Sequence, residues 1–291
     1  MIIVRLKGGM GNQMFQYAFG RRIADLHQTQ LKLDLSMLLD RNKGDFVYRD
    51  YDLSIFNIQP EFVIDPSLLR FLFKIKSKYT SRIVSKLSVG SKNYIKEKHF
   101  HVVEDVLQHP PNNTIYEGWW QSEQYFKSIS KDIRKDFFFK QDILSDSLSL
   151  YHDIKNTNAV CLNVRRTDFL KIDALNTTNL DYFLRSAKYM GEQLTNPVFY
   201  IFSDDVEWCI QNIKLEYPVR IVNHEHKGEK FSNYLQLMIA CQHFIIPNSS
   251  FAWWAVWLNE NPSKIVVAPQ NWFADPQFNT KDIVPKNWIR L

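Results

Sequence analysis

Apolar positions along this chain follow two periods, and the change between them sketches its architecture. Ile2 to Leu6 form an apolar run that reads as a strand. A glycine cluster follows, and then Phe15, Phe19, Ile23 and Leu26 recur at helical spacing. Leu31, Leu33 and Leu35 alternate with polar residues, which predicts a second strand. Residues 37–140 show no clean period and read as mixed helix and loop. From about residue 158 the pattern becomes regular. Val160, Leu162 and Val164 mark a strand, and Thr178 with Asp181 resembles a capping box that opens a helix to about Leu194. "VFYIF" predicts a strand, a helix runs through Trp208 and Ile213, and "VRIV" is the next strand. Ser232 is placed to cap a helix reaching about His243. "HFIIP", the helix "FAWWAVWL" and a last strand, "KIVVAP", complete the series.

Strands alternating with helices indicate a mostly parallel sheet covered on both faces. The polar, Ser/Asn-rich stretch 141–158 reads as a linker. Since the first half also opens strand–helix–strand, the expected fold is α/β: two facing Rossmann-like domains, residues 1–150 and 151–291.

In such sheets ligands bind beyond the carboxyl ends of the strands. Three polar clusters fall there in the second half: Arg165, Arg166 and Asp168; Ser203, Asp204 and Asp205; and Asn248, Ser249 and Ser250. Adjacent guanidiniums repel, and a diphosphate beside them relieves the repulsion, because arginine grips phosphate with two parallel N–H donors. The plain alternative pairs Arg165 with Asp168 or another acid and leaves Arg166 in solvent. Asp168 fits an orienting partner for an arginine. The aspartates of "FSDD" offer too few oxygens for a metal. They suit hydroxyl or N–H donors of a nucleoside, or simple helix capping. The serines of "PNSSFAWW" stand at a helix start, where unpaired N–H groups attract phosphate and where capping explains them as well.

Three of the chain's nine glycines fall in positions 8–11 of "GGMGNQ", so the backbone there turns tightly or approaches a ligand. Gly9 and Gly11 with Asn12 and Gln13, at the start of a helix, fit a cap over a ligand's phosphate or sugar. The stretch is neither a dinucleotide fingerprint, since Met14 stands where the third glycine belongs, nor a P-loop, since GK[ST] is missing.

Composition adds three points. Cys161, Cys209 and Cys241 are widely spaced in apolar segments and read as reduced core residues, which fits a cytoplasmic setting. No apolar run reaches the ~18 residues of a membrane span. The net charge of +5 resides in the first half, where residues 70–98 carry nine basic residues and one acidic, Glu97. Interleaved with apolar residues, this run predicts an amphipathic helix. Its basic face is either simply solvated or rests peripherally on anionic lipid at the inner face of the plasma membrane. Nucleic acid is not indicated.

Together, "GGMGNQ", "NVRRTD" (163–168), "FSDD" (202–205) and "NSSFAWW" (248–254) resemble the motifs "GGxGNQ", "HxRRGD", "FSDD" and "NSSFSWW" of the galactoside α-1,2-fucosyltransferases, glycosyltransferase family eleven. "IYEGWWQSEQYF" (115–126) and "VVAPQNWF" (266–273) share that likeness, which spans nearly the whole chain. The resemblance implies a GT-B fold, GDP-fucose as donor and inverting transfer, with no metal or other cofactor, to a galactose hydroxyl of a glycan; a lipid-linked acceptor would account for the basic run 70–98. It implies that Arg165 and Arg166 hold the diphosphate and Asp168 supports them. Ser203, Asp204 and Asp205 would line the nucleotide pocket, Asn248, Ser249, Ser250 and Phe251 would close it, and Asn12 would reach across from the first domain. Asn163 stands where the family has histidine, Thr167 where it has glycine, and Ala252 where it has serine. Two other classes stay open on the residues alone. One is an NADP-binding oxidoreductase whose arginines read a phosphate, and the other is a non-enzymatic glycan- or membrane-binding module.

Overall fold

A computed structural model describes residues 1–40, 49–74, 93–143, 145–167 and 169–291. The chain divides into two units, residues 1–138 with 281–283, and residues 139–280 with 284–291. The stretch expected as a linker carries the helix Ser145–Lys155 and leads directly into a strand at Asn158.

Among the described residues of the first unit, β1 (Ile2–Arg5), β2 (Leu31–Asp34), β3 (Glu61–Phe62), β4 (Asn93–Lys96) and β5 (Thr114–Glu117) form a parallel sheet in the order β3-β2-β1-β5-β4. The helix Met10–Leu26 lies over β1 and β2 with Phe15, Phe19 and Ile23 buried, as their spacing predicts. Phe19 stacks face to face on Trp120 at 4.0 Å, with Tyr116 and Tyr125 edge-on to it at 5.2 Å. Gly20 is the point of closest approach. A Cβ there would stand 2.4 Å from Val4 Cγ2 and 2.8 Å from Leu31 Cδ1.

In the second unit, β6 (Asn158–Val164), β7 (Pro197–Ser203), β8 (Val219–Val222), β9 (His243–Ile245), β10 (Val266–Ala268) and β11 (Ile289–Arg290) run parallel in the order β11-β10-β9-β6-β7-β8. The chain builds outward from β6 through β7 to β8, then crosses back to lay β9 on the other side of β6. The reversal between β6 and β9 opens a crevice at their carboxyl ends. Val160, Leu162, Val164, Phe199 and Ile201 pack on Phe183 and Met190 of the helix Leu180–Gln193. Trp253 and Trp254 are fully buried, so the tryptophan-rich helix Ser250–Leu258 is core.

Several local expectations are corrected. Asn179, not Thr178, caps the helix at Leu180, its side chain accepting from Tyr182 N at 2.9 Å. Ser232 is the first residue of its helix rather than the cap, and that helix ends at Ala240 because His243 opens β9. β11 was not signalled, being two residues long. Of the basic run 70–98, residues 75–92 lie outside the described residues. Asn93–Lys96 are strand rather than helix, with backbone groups paired to β5. All three cysteines are buried free thiols. Among the described residues no helix is long and apolar enough to cross a membrane.

Gly20→Ala should lower stability by about 1–2 kcal/mol, since overpacking exceeds the gain in helix propensity. A melting temperature equal to the parent's would show that the helix can lift off β1 without loss.

Candidate active site

The carboxyl ends of β9, β6 and β7 lie side by side and carry the three polar clusters. Register explains how they meet. Val164 pairs with Ser203, so one and two residues further on Arg165 stands level with Asp204 and Arg166 with Asp205. Arg165 Nε lies 3.4 Å from Asp204 Oδ2, and Arg166 Nε lies 3.2 Å from Asp205 Oδ2. Each arginine therefore has a carboxylate of β7's exit directly opposite. Asp168 lies outside the described residues.

Asp204 does more than neutralise Arg165. Its carboxylate also accepts from Arg166 N at 2.9 Å, from Thr167 N at 3.1 Å and from the Thr167 hydroxyl at 2.5 Å. It thus pins the whole backbone turn that leaves β6. Asp205 divides its oxygens. Oδ1 caps the helix Val206–Asn212 through Trp208 N at 3.2 Å, and Oδ2 takes Arg166 Nε. Trp208, one turn into that helix, lies under the Arg166 guanidinium at 3.7 Å. Arg166 is held from its Nε edge and from one face, and among the described residues its terminal nitrogens have no protein partner. Cation–π contact and charge pairing both favour this single orientation. Sequence reading missed Trp208, although its place three residues after a capping aspartate is a usable signal.

Ser203 Oγ accepts from Asp205 N at 2.9 Å, and its carbonyl meets His224 Nε2 at 2.8 Å. On the other side of β6, Ser249 caps the helix Ser250–Leu258 through Ala252 N. Trp253 N bonds Ser249 O, which leaves the N–H groups of Ser250 and Phe251 at the helix start without a partner among the described residues. Asn248 is 3% exposed, and its amide nitrogen donates to Leu175 O and Trp272 O, both at 2.9 Å. It holds two loops together, and its Oδ1 has no partner among the described residues.

The glycine motif belongs to the first unit. Gly8 has φ +77, and a Cβ there would meet Asn12 Nδ2 at 2.5 Å. Gly9 is the cap of the first helix, and Gly11 is buried inside it. Three amides of this helix's first turns sew together the loops around it. Gln13, fully buried, donates to Gly8 O and Asp50 O and accepts from Asp52 N. Gln16 accepts from Lys7 N and donates to Gly118 O, and Asn12 Oδ1 accepts from Gln121 Nε2 at 2.6 Å. Gln13 is therefore turned inward, away from the ligand role its position suggested, because its amide completes the loop at Asp50–Asp52. Lys7, Glu97, Trp119 and Gln121, not singled out in sequence, share this sheet edge.

With this geometry in hand, the whole chain can be compared with known proteins. The family model described as glycosyl transferase family 11 matches residues 1–291. The chain belongs to that family. This family 11 chain is 32% identical over 302 residues to an alpha-1,2-colitosyltransferase of Escherichia coli, covering all of this chain and 99% of the relative. It is 29% identical over 304 residues to the O-antigen biosynthesis glycosyltransferase WbnK of Escherichia coli, covering 98% and 99%. Among solved structures, a point mutant of Arabidopsis thaliana FUT1 in complex with GDP gives a TM-score of 0.53 at 10% identity, covering 95% of this chain and 72% of that one. NodZ alpha-1,6-fucosyltransferase co-crystallized with GDP gives 0.52 at 14%, covering 88% and 91%. These likenesses show the fold, GT-B. The protein is a glycosyltransferase, so the oxidoreductase and the non-enzymatic module fall away.

Each place where this family 11 member departs from the motif pattern has a structural use. Asn163 Nδ2 donates to Phe202 O at 3.1 Å across the β6–β7 pair. The Thr167 hydroxyl adds a bond to Asp204 that glycine could not supply. Ala252, fully buried, offers only its N–H, which takes the Ser249 cap.

Glu97 gives a pH prediction. Burial pushes its carboxyl up to about 7, against the lowering pull of two backbone N–H donors and Lys7. The folded chain keeps this proton to about pH 7, whereas an unfolded chain releases it near the ordinary 4.5. Glu97 therefore favours folding fully below pH 4.5, and that contribution is lost as the pH rises through 7. Glu97→Gln should flatten the fall in melting temperature between about pH 5 and 7.5. Parallel curves for the two chains would rule out this assignment.

Proposed function

We propose that this glycosyltransferase moves fucose from GDP-fucose to the 2-hydroxyl of a galactose in an oligosaccharide or polysaccharide acceptor, with inversion. The carrying observation is the arginine pair, held by Asp204 and Asp205 at the point where strand order reverses. A leaving diphosphate gains charge as the glycosidic bond breaks. Donors fixed beforehand stabilise that charge without reorganising. Arg166, clamped by Asp205 and stacked on Trp208, has this character. The N–H groups of Ser250 and Phe251 add the positive end of a helix on the far side of β6.

In this reading Arg165 and Arg166 bind the diphosphate, while Asp204, Asp205 and Ser203 position them. Asn248 shapes the crevice from the β9 side. Asp168, in the β6 exit, is assigned to support the arginines. An acceptor carried on a lipid, met at a membrane face by the basic run 70–98, fits a chain similar to an O-antigen biosynthesis enzyme.

The likeness to a colitosyltransferase favours a second donor. Colitose is fucose lacking the 3-hydroxyl. A site that hydrogen-bonds this hydroxyl discriminates strongly against the sugar without it, whereas a site that leaves it unbonded discriminates little. Transfer assays with GDP-fucose and GDP-colitose side by side, followed by linkage analysis, decide the donor and the bond formed.

Arg166→Ala should reduce kcat/KM roughly a hundredfold or more and weaken GDP binding measured by calorimetry, with the melting temperature little changed. Near-normal transfer by this variant would remove the diphosphate clamp from the mechanism.

A further inference from the structure

An arginine beside a carboxylate ordinarily closes a fork on it, two parallel N–H donors on two oxygens. Arg166 does not. It gives Asp205 only its Nε, at 3.2 Å to Oδ2, and its terminal nitrogens take no protein partner among the described residues. A cation that keeps its best donors idle next to an acid is held that way by something else.

The neighbouring acids leave it little room. Asp204 already accepts from Arg166 N, Thr167 N and the Thr167 hydroxyl, and faces Arg165 Nε at 3.4 Å. Asp205 has one oxygen to offer, because Oδ1 caps the next helix through Trp208 N at 3.2 Å. The Trp208 ring then covers one face of the guanidinium, with Arg166 Cζ 3.7 Å from the ring centre. Swinging the terminal nitrogens onto Asp205 would carry the guanidinium off that ring and forfeit the cation–π contact. The contact gains strength from desolvation, and the Arg166 side chain is only 21% exposed. The indole is itself anchored, since it packs against the buried cluster that joins β6 and β7.

Arg165 provides the contrast. Its ring neighbour is Phe169, 5.7 Å from Cζ. Phenylalanine at that distance holds a cation more weakly than indole at close contact. One arginine of the pair is therefore fixed by a ring and the other chiefly by its acid.

We propose that Trp208 is the positioning residue for Arg166: its ring keeps the guanidinium from closing on Asp205, and so keeps the terminal N–H donors free for the leaving diphosphate. Trp208 acts through Arg166 and touches no substrate itself. This rests on the diphosphate reading above and adds the residue that decides how much of that arginine is available.

The test is a double-mutant cycle on the full-length chain, read by calorimetry with GDP, by transfer kinetics with GDP-fucose and by melting temperature. Trp208→Leu removes the aromatic face but keeps an apolar side chain and the backbone N–H that Asp205 accepts. Its dissociation constant for GDP should rise about tenfold and its kcat/KM for the donor fall at least as much, while Trp208→Phe recovers most of both losses. In an Arg166→Ala background the same Trp208→Leu change should alter neither quantity by more than about twofold, because the side chain it acts through is gone. Equal losses in the two backgrounds would make Trp208 a structural or directly binding residue and overturn the proposal. So would GDP affinity within about threefold of the parent's in Trp208→Leu. Should that variant fail to fold, Trp208→Met, whose flexible side chain fills irregular gaps, takes its place. If the parent binds no GDP, or Arg166→Ala binds it normally, the diphosphate reading fails first and this proposal falls with it. A loss in Arg166→Ala with none in Trp208→Leu removes this proposal alone.

Discussion

The carboxylate of Asp204 is the constraint on which the second unit's site depends. Two adjacent arginines at the end of a strand repel each other, and left alone they would splay into solvent. Asp204 opposes this from the neighbouring strand by taking two backbone N–H groups, one hydroxyl and one guanidinium of the β6 exit. The turn is fixed through its backbone as well as through charge, so its geometry does not require a bound anion. Parallel register supplies the match. Because Val164 pairs with Ser203, each arginine finds an aspartate at its own level. A one-residue slip that placed Arg165 against Ser203 would set Arg166 against Asp204 and leave Asp205 opposite Thr167, so one of the two pairs would be lost.

The first unit reaches the same end with amides instead of charges. Asn12, Gln13 and Gln16 project from the opening turns of one helix and bond three different loops. Carboxamides suit this task because each carries both a donor and an acceptor, so a single side chain closes a loop in both directions. Gln13 and Gln16 are wholly buried, where an unpaired amide group would be costly. Glycine at position 8 is needed for its positive φ and for the room that Asn12 occupies. The motif "GGMGNQ" is thus largely a folding device, in which Gly8, Gly9 and Asn12 are half-buried and the rest is buried.

This explains which parts of the molecule were legible in the sequence. In the second unit β6 and β7 are seven residues long and mostly apolar, and the sheet also holds shorter β-branched runs that lie between helices in the chain. Period and turn residues therefore announced them, and the three strand-end clusters followed from that topology. The first unit was opaque between 37 and 140 because its short strands there, Glu61–Phe62, Asn93–Lys96 and Thr114–Glu117, carry polar residues at their ends, and among the described residues no long periodic helix separates them to mark the alternation. Asp205 illustrates a different limit. Capping and arginine pairing looked like alternatives in sequence, yet its two oxygens do both. Gln13 shows the converse. A polar residue at a helix start looks available to a ligand, and only the position of Asp50 and Asp52, far along the chain, reveals that its amide is already occupied.

The two sheet edges divide the chemistry by charge. In the second unit each guanidinium pairs with an aspartate of the β7 exit, held so that the terminal nitrogens of Arg166 remain unpaired among the described residues, and helix N–H groups add further positive character. At the carboxyl edge of the first sheet, by contrast, Arg5 pairs with Asp34 and Glu117, and Lys96 with Glu117. A sugar nucleotide carries its negative charge in the diphosphate, so in the proposed reading that half is drawn to the arginine edge and not to the edge where the cations are already paired. In the proposed reading, charge orients the donor at the arginine pair, and hydrogen-bond geometry selects among sugars once the diphosphate is held.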